Sequence, residues 1–194
     1  MAISDLFRRP PRVRPWTRAE VTTVGEYRVF DVERARMKDP DGQPSPRDIF
    51  TFRCNDWCTI VAVTDAREVV LIWQYRHGTD ALSLEVPGGV VDAGEDPRDA
   101  ARRELREETG YDADALDPLV VVHPNPALQG NQCHAFVARG ARLAGPPSFD
   151  EGEECEVVLV PLADLPELLD SGRITHSLAI VALERFLRRG GGVT

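Results

Sequence analysis

The apolar residues of this chain come in short blocks, most of them strand-length, broken by Gly, Pro, Asp and Asn. Cys58–Val63 and Glu68–Tyr75 are rich in Val, Ile and Leu and read as strands, and Leu82–Val86 leads from them into Pro87-Gly-Gly. Upstream, Val21–Val24 and Tyr27–Arg36 lean towards β structure and are split by Gly25, as a hairpin would be. A turn-rich segment, Asp39-Pro-Asp-Gly-Gln-Pro, separates them from a further strand at Asp48–Arg53. Downstream, Leu119–His123, Cys133–Ala138 and Cys155–Pro161 read as strands. Leu162–Asp170 and Leu178–Arg188 read as helices, with Gly172 ending the first and Ser177 placed to cap the second.

One helix lies in the middle. Asp96 suits its N-cap, Pro97 its first turn, and Gly110 the left-handed position just past its end. Strands, a central helix, more strands and then helices make a mixed α+β order, not a regular βαβ alternation. A length of 194 residues suits one domain with a real core, and no apolar run is long enough to span a membrane. The first residues are rich in Arg and Pro and carry no apolar segment, so no secretory signal is expected and the cytoplasm is the expected compartment.

A formal charge of −9 speaks against broad affinity for nucleic acid, although Arg8, Arg9, Arg12, Arg14 and Arg18 make the N-terminus locally basic. Cys54, Cys58, Cys133 and Cys155 form no paired metal-ligand spacing, and His134 beside Cys133 does not supply one. They read as small hydrophobes.

The chemistry concentrates on the central helix. Glu104, Glu107 and Glu108 share a face at spacings of three and four, in the last turns, where the helix dipole is negative. Each such placement costs roughly 0.3–1 kcal/mol. Arg103 can relieve Glu107. A divalent cation would turn the repulsion into coordination, and an oxygen-only donor set suits Mg²⁺ or Mn²⁺ better than zinc. A solvated acidic face with incidental Arg pairs is the plain alternative.

The whole pattern is Gly89, five residues, Glu95, seven residues, then Arg103-Glu-Leu-Arg-Glu-Glu-Thr-Gly-Tyr111. It resembles the signature box of the Nudix hydrolases, with Tyr111 where an aliphatic residue is usual. The resemblance implies an α/β/α sandwich with a mixed sheet and a β-rich N-terminal extension. It divides the chain into an arm and extension at 1–56, expected to serve dimerisation, a hydrolase domain at 57–188, and a flexible tail at 189–194. It implies cleavage of a nucleoside diphosphate linked to another group. Glu104 and Glu108 would be the principal metal ligands, with Glu107 and the Gly88 carbonyl as further ones. Arg103 would orient a box carboxylate, and Glu95 would brace the loop.

Outside the box, Gln74-Tyr75-Arg76 and the downstream Pro126 are similar to the ADP-ribose pyrophosphatase and nucleoside diphosphate sugar branch. There Arg76 would grip the substrate phosphates, a role that suits its planar fork of donors. Pro126, Gly89 and Trp57 would contribute to the substrate pocket. The acidic run Asp150-Glu-Gly-Glu-Glu154 stands where that branch carries a mobile loop, so Glu151 is the expected base and Glu153 a metal partner. Trp16, Tyr27 and Phe30 join Trp57 as candidates for stacking a base, and the branch implies a homodimer. A nucleoside triphosphate or dinucleoside polyphosphate hydrolase, and a non-catalytic nucleotide-binding module of the same fold, are the alternatives.

Overall fold

The computed structural model describes residues 12–149 and 154–191. Arg8 and Arg9 of the basic arm, residues 150–153 with both Glu151 and Glu153, and residues 192–194 of the expected tail lie outside the described residues. The chain divides into two compact units. One comprises the described residues up to Cys54 with Ala127–Gln129, and the other comprises Asn55–Pro126 with the described residues from Gly130 onward.

In the first unit β1 (Thr17–Glu26), β2 (Asp31–Lys38) and β3 (Ile49–Arg53) form an antiparallel sheet in the order β1-β2-β3. The β1–β2 turn is not at Gly25, as the residue pattern suggests. It spans Tyr27–Phe30, closed by the Tyr27 N–H donating to the Phe30 carbonyl at 3.0 Å. Gly25 lies inside β1 at a shift of register, where a Cβ would fall 2.9 Å from the Tyr27 ring. The glycine therefore makes room for an aromatic and does not turn the chain. Val21, Val24 and Phe50 are exposed on this small sheet.

The second unit holds β4 (Trp57–Thr64), β5 (Glu68–Arg76), β6 (Ala81–Glu85), β7 (Tyr111–Asp112), β8 (Leu116–Val122), β9 (Cys133–Leu143) and β10 (Cys155–Pro161). Its helices are α1 (Pro97–Thr109), α2 (Leu165–Asp170) and α3 (Ser177–Phe186). The sheet runs β10-β5-β4-β9-β7, with β6 against β5 and β8 against β9. β4 and β9 pair in parallel, and the other pairs are antiparallel.

Period-two alternation sorts the apolar side chains onto two faces. Val61, Val63 and Leu71 pack with Leu165, Ala179, Leu183 and Phe186, while Ile60, Ala62 and Val70 pack with Ala100, Ala101 and Leu105 of α1. Helices thus cover both faces of a mixed sheet, which is the expected α/β/α sandwich.

Two helix ends differ from expectation. Position 176, not Ser177, is the N-cap of α3, and His176 caps without a side-chain hydrogen bond. Residues 189–191, assigned to a flexible tail from sequence, fall in the turn Leu187–Gly191, which leaves helical geometry at Arg189 and Gly190 and sets Gly191, a buried residue, against the Phe186 ring. Among the described residues no helix is long and apolar enough to cross a membrane.

Candidate active site

After β6 the chain is held along the start of β4. The Ile60 N–H donates to the Pro87 carbonyl at 2.9 Å, and Cys58 and Gly89 exchange backbone bonds of 2.9 and 3.1 Å. This approach explains the glycine pair. A Cβ at Gly88 would fall 2.2 Å from the Cys58 carbonyl oxygen, and one at Gly89 would fall 2.4 Å from Oε1 of Glu104. The second gap is therefore the seat of a carboxylate.

Helix α1 starts and stops where its sequence dictates. The Asp96 carboxylate accepts from the Arg98 N–H at 2.8 Å, and Gly110 takes φ 73° beyond the last turn. Burying Ala100, Ala101 and Leu105 turns the acidic face towards the glycine loop. Full burial of Leu105 alone is worth roughly 1.5–3 kcal/mol.

Arg103 is the hub of that face. Its Nε and Nη2 donate to Glu95 at 3.1 and 3.2 Å, its Nη1 to Glu104 at 2.8 Å and Glu107 at 3.0 Å, and its Nη2 also to the Val90 carbonyl. The Glu95 bond, above all, holds the guanidinium pKa above its ordinary value, and Arg103 in turn lowers that of Glu95. Glu95 also accepts from the Asp92 N–H at 3.0 Å, bracing the loop. Arg102 turns away to Asp112.

Glu108 is buried and points elsewhere. Its Oε2 accepts from the Gly88 N–H at 2.8 Å and its Oε1 from Gln74 Nε2 at 2.6 Å; that same Nε2 lies 3.0 Å from Cys155 Sγ. Sequence reasoning assigned no role to Gln74 or Cys155 here. Only the strand register, which sets Cys155 opposite Gln74, brings them together.

Three carboxylates and a glycine carbonyl are hard oxygen donors, and the missing Cβ at Gly89 makes room for one of those carboxylates, so the residues fit a divalent cation of the magnesium type. Among the described residues no three acidic, His or Cys groups already converge on one point. Arg103 lies between Glu104 and Glu107, so a cation entering there competes with the guanidinium for the same oxygens.

Beside the loop opens a cleft of about 780 Å³, lined by Trp57, Arg76, Glu85, Gly88, Gly89 and His176 among others. Of the groups expected at the substrate, Arg76, Trp57 and Gly89 line it. Pro126, exposed in the β8–β9 connection, is not among its lining residues. Trp16, Tyr27 and Phe30 belong to the other unit.

Arg76 is also engaged by a partner that sequence reasoning missed. Its Nε and Nη2 donate to Glu85 at 2.8 and 2.7 Å, and His176 Nδ1 lies 2.9 Å from the same carboxylate without good hydrogen-bond alignment. Burial alone would push the Glu85 carboxyl up, yet Arg76 and His176 hold it well below the usual carboxylate range. Cys58 and Cys133 are buried thiols pushed by desolvation up to about 12 and about 11, and His134 Nε2 lies 3.1 Å from Asp56.

Comparison with known proteins places these features in a family. The sequence model of the NUDIX domain matches residues 56–179. An ADP-ribose pyrophosphatase of Bacillus subtilis is 29% identical over 81% of this chain and 84% of its own length. A CMP-5'-(N-acetyl-N-hydroxy-3-aminopropyl)phosphonate hydrolase of Streptomyces rubellomurinus is 35% identical over 91% of this chain and 84% of its own. The crystal structure of an ADP compounds hydrolase superposes with a TM-score of 0.80 at 28% identity, covering 94% of this chain and 98% of that one.

Proposed function

This chain belongs to the Nudix domain family, and from that premise we propose that it hydrolyses the diphosphate bond of ADP-ribose or a related nucleoside diphosphate sugar. The products are a nucleoside monophosphate and a sugar phosphate. The observation that carries this reading is that Arg76, Gly88 and Gly89 line one cleft, while the acids of α1 contact both glycines from behind.

Glu104, Glu107, Glu108, the Gly88 carbonyl and Glu153 would hold the cation, Mg²⁺ or Mn²⁺. A bound divalent ion supplies neutralisation of diphosphate charge and acidification of water. Arg103 fixes the box carboxylates, Glu151 takes the proton from the attacking water, and Arg76 holds the phosphates in line. Trp57 and Gly89 border the bound substrate, and Pro126 stiffens the loop after β8. The first unit's exposed Val21, Val24 and Phe50 support a homodimer built through its sheet, and cysteines that form no disulfide among the described residues fit the reducing cytoplasm.

A second reading keeps the same attack but changes the nucleotide and leaving group, supported by the 35% identical relative that acts on a CMP-linked phosphonate. Purified protein with Mg²⁺, tested against ADP-ribose, CMP-linked and other diphosphate sugars and nucleoside triphosphates with product identification, separates the two. Turnover of triphosphates alone refutes both. Glu151→Gln and Glu153→Gln should each lower kcat by about 10²-fold, and losses under threefold in both would move the base elsewhere.

A further inference from the structure

Two cleft-lining side chains end on a carboxylate for which the reaction above has no use. Glu85 is 1% exposed, on β6 between Leu84 and Val86, where an ionised group is tolerated only when paired. From the neighbouring strand Arg76 gives it two side-by-side bonds at 2.8 and 2.7 Å. From the N-cap of α3, His176 brings Nδ1 to 2.9 Å from Oε2, the oxygen that Arg76 Nη2 also uses. Strand and helix thus deliver a guanidinium and an imidazole to one anchor.

The pairing decides what Arg76 can offer a ligand. Nε and one hydrogen of Nη2 are committed to Glu85, which leaves the Nη1 edge and the outer hydrogen of Nη2. A guanidinium gripped at two points does not swing, so its remaining donors keep one direction, as preorganised binding of a phosphate requires.

We propose that Glu85 is the positioning residue of this cleft, holding Arg76 by a two-point ion pair with the His176 ring packed 2.9 Å from the same carboxylate, so that both meet the diphosphate sugar as one preset binding unit. The inference rests on the reading of Arg76 as the phosphate contact. Its signature is in KM, because a contact made equally in ground and transition states is lost without a matching loss in kcat.

Steady-state kinetics with ADP-ribose and Mg²⁺ test it, with a melting curve for each variant. Arg76→Ala should raise KM by about 10-fold or more, and Glu85→Gln by about fivefold with kcat within about threefold of wild type. Where Arg76 and His176 are both already alanine, Glu85→Gln has nothing left to hold and should shift KM by less than about twofold. If Arg76→Ala leaves KM unchanged, the phosphate reading fails and this inference fails with it. If Arg76→Ala raises KM but Glu85→Gln does not, or Glu85→Gln acts equally in the background lacking both partners, the positioning role alone is overturned. Should Glu85→Gln not fold, Arg76→Lys puts the question from the other side. It keeps the charge but not the fork, so KM should rise about fivefold, and an unchanged KM overturns the proposal.

Discussion

Gly89→Ala is the smallest change that asks whether the seat of Glu104 matters. A Cβ there falls 2.4 Å from Oε1, 2.5 Å from Cδ and 2.7 Å from Oε2 of Glu104, whereas ordinary contact begins at 3.4 Å, so the carboxylate must retreat by about 1 Å. The obstructing atoms are the far end of a long side chain, and the fold gives way easily. What lengthens is the 2.8 Å bond from Arg103 Nη1, a partly exposed charge pair worth only about 0–1 kcal/mol. For a chain of this size that lowers Tm by at most roughly 2–4 °C. Activity is far more sensitive, because about 1 Å of misplacement in a catalytic constellation costs on the order of 10²-fold. We expect kcat/KM for ADP-ribose to fall by about 10²-fold, with more Mg²⁺ needed for half-maximal rate. The assay is initial-rate turnover across a Mg²⁺ series beside a thermal melt. Gly130→Ala, with nothing within 4 Å of its Cβ and no place in the lining of the cleft, is the silent control. A Gly89→Ala enzyme within threefold of wild type at every Mg²⁺ concentration would refute the reasoning, and so would a Tm loss above about 10 °C.

At the preceding position the obstruction is backbone. A Cβ at Gly88 meets the Cys58 carbonyl oxygen at 2.2 Å and the Thr59 Cα at 2.8 Å, neither of which can retreat, so Gly88→Ala should cost about 2–3 kcal/mol in urea unfolding; an unshifted midpoint contradicts this. The folded-state pKa of Glu85 is depressed, so its contribution to stability is complete above its ordinary value of 4.5 and is lost as pH falls through the folded value. Unfolding free energy should therefore drop on acidification below about pH 5, by at most about 1.4 kcal/mol per pH unit for this one proton, and less steeply in Glu85→Gln; parallel curves for the two proteins would remove Glu85 from the account. Chelation should abolish turnover and leave far-UV circular dichroism intact, because Arg103 already neutralises Glu104 and Glu107. Restoring Mg²⁺ should raise Tm with concentration, and unfolding on chelation would contradict the arrangement.

Local chemistry made some of this architecture readable from residues alone. Asp96, Pro97 and Gly110 bracket α1 because caps and a left-handed glycine are short-range requirements, met within a few residues. The run Cys155–Pro161 is a strand over the range expected, since Val157, Val158 and Val160 favour it. The hairpin turn was misplaced because a glycine in a β-leaning run can equally accommodate a neighbouring ring, and only the contact with Tyr27 distinguishes the two. β9 continues past Ala138 to Leu143 because pairing carries it beyond Gly140, a residue that reads as a stop. Glu85 stayed hidden because its partners come from strand register and from a helix late in the chain. An acid between Leu84 and Val86 was the one available signal, since carboxylates are rarely buried without a partner.

The parallel pairing of β4 with β9 also bears on how the protein is made. Two strands that run the same way need a long crossover between them, and here it contains α1 and the glycine loop. As the chain grows from its N-terminus, Ile60–Val63 cannot gain this partner until residues up to Arg139 exist, and an apolar strand edge waits uncovered meanwhile. All the residues from Gly89 to Tyr111 can therefore be present in a fragment that has no centre of the sheet to rest on. A split of this protein into complementing pieces should succeed only where β4 and β9 can still meet during folding, whichever side of the cut the box helix falls on.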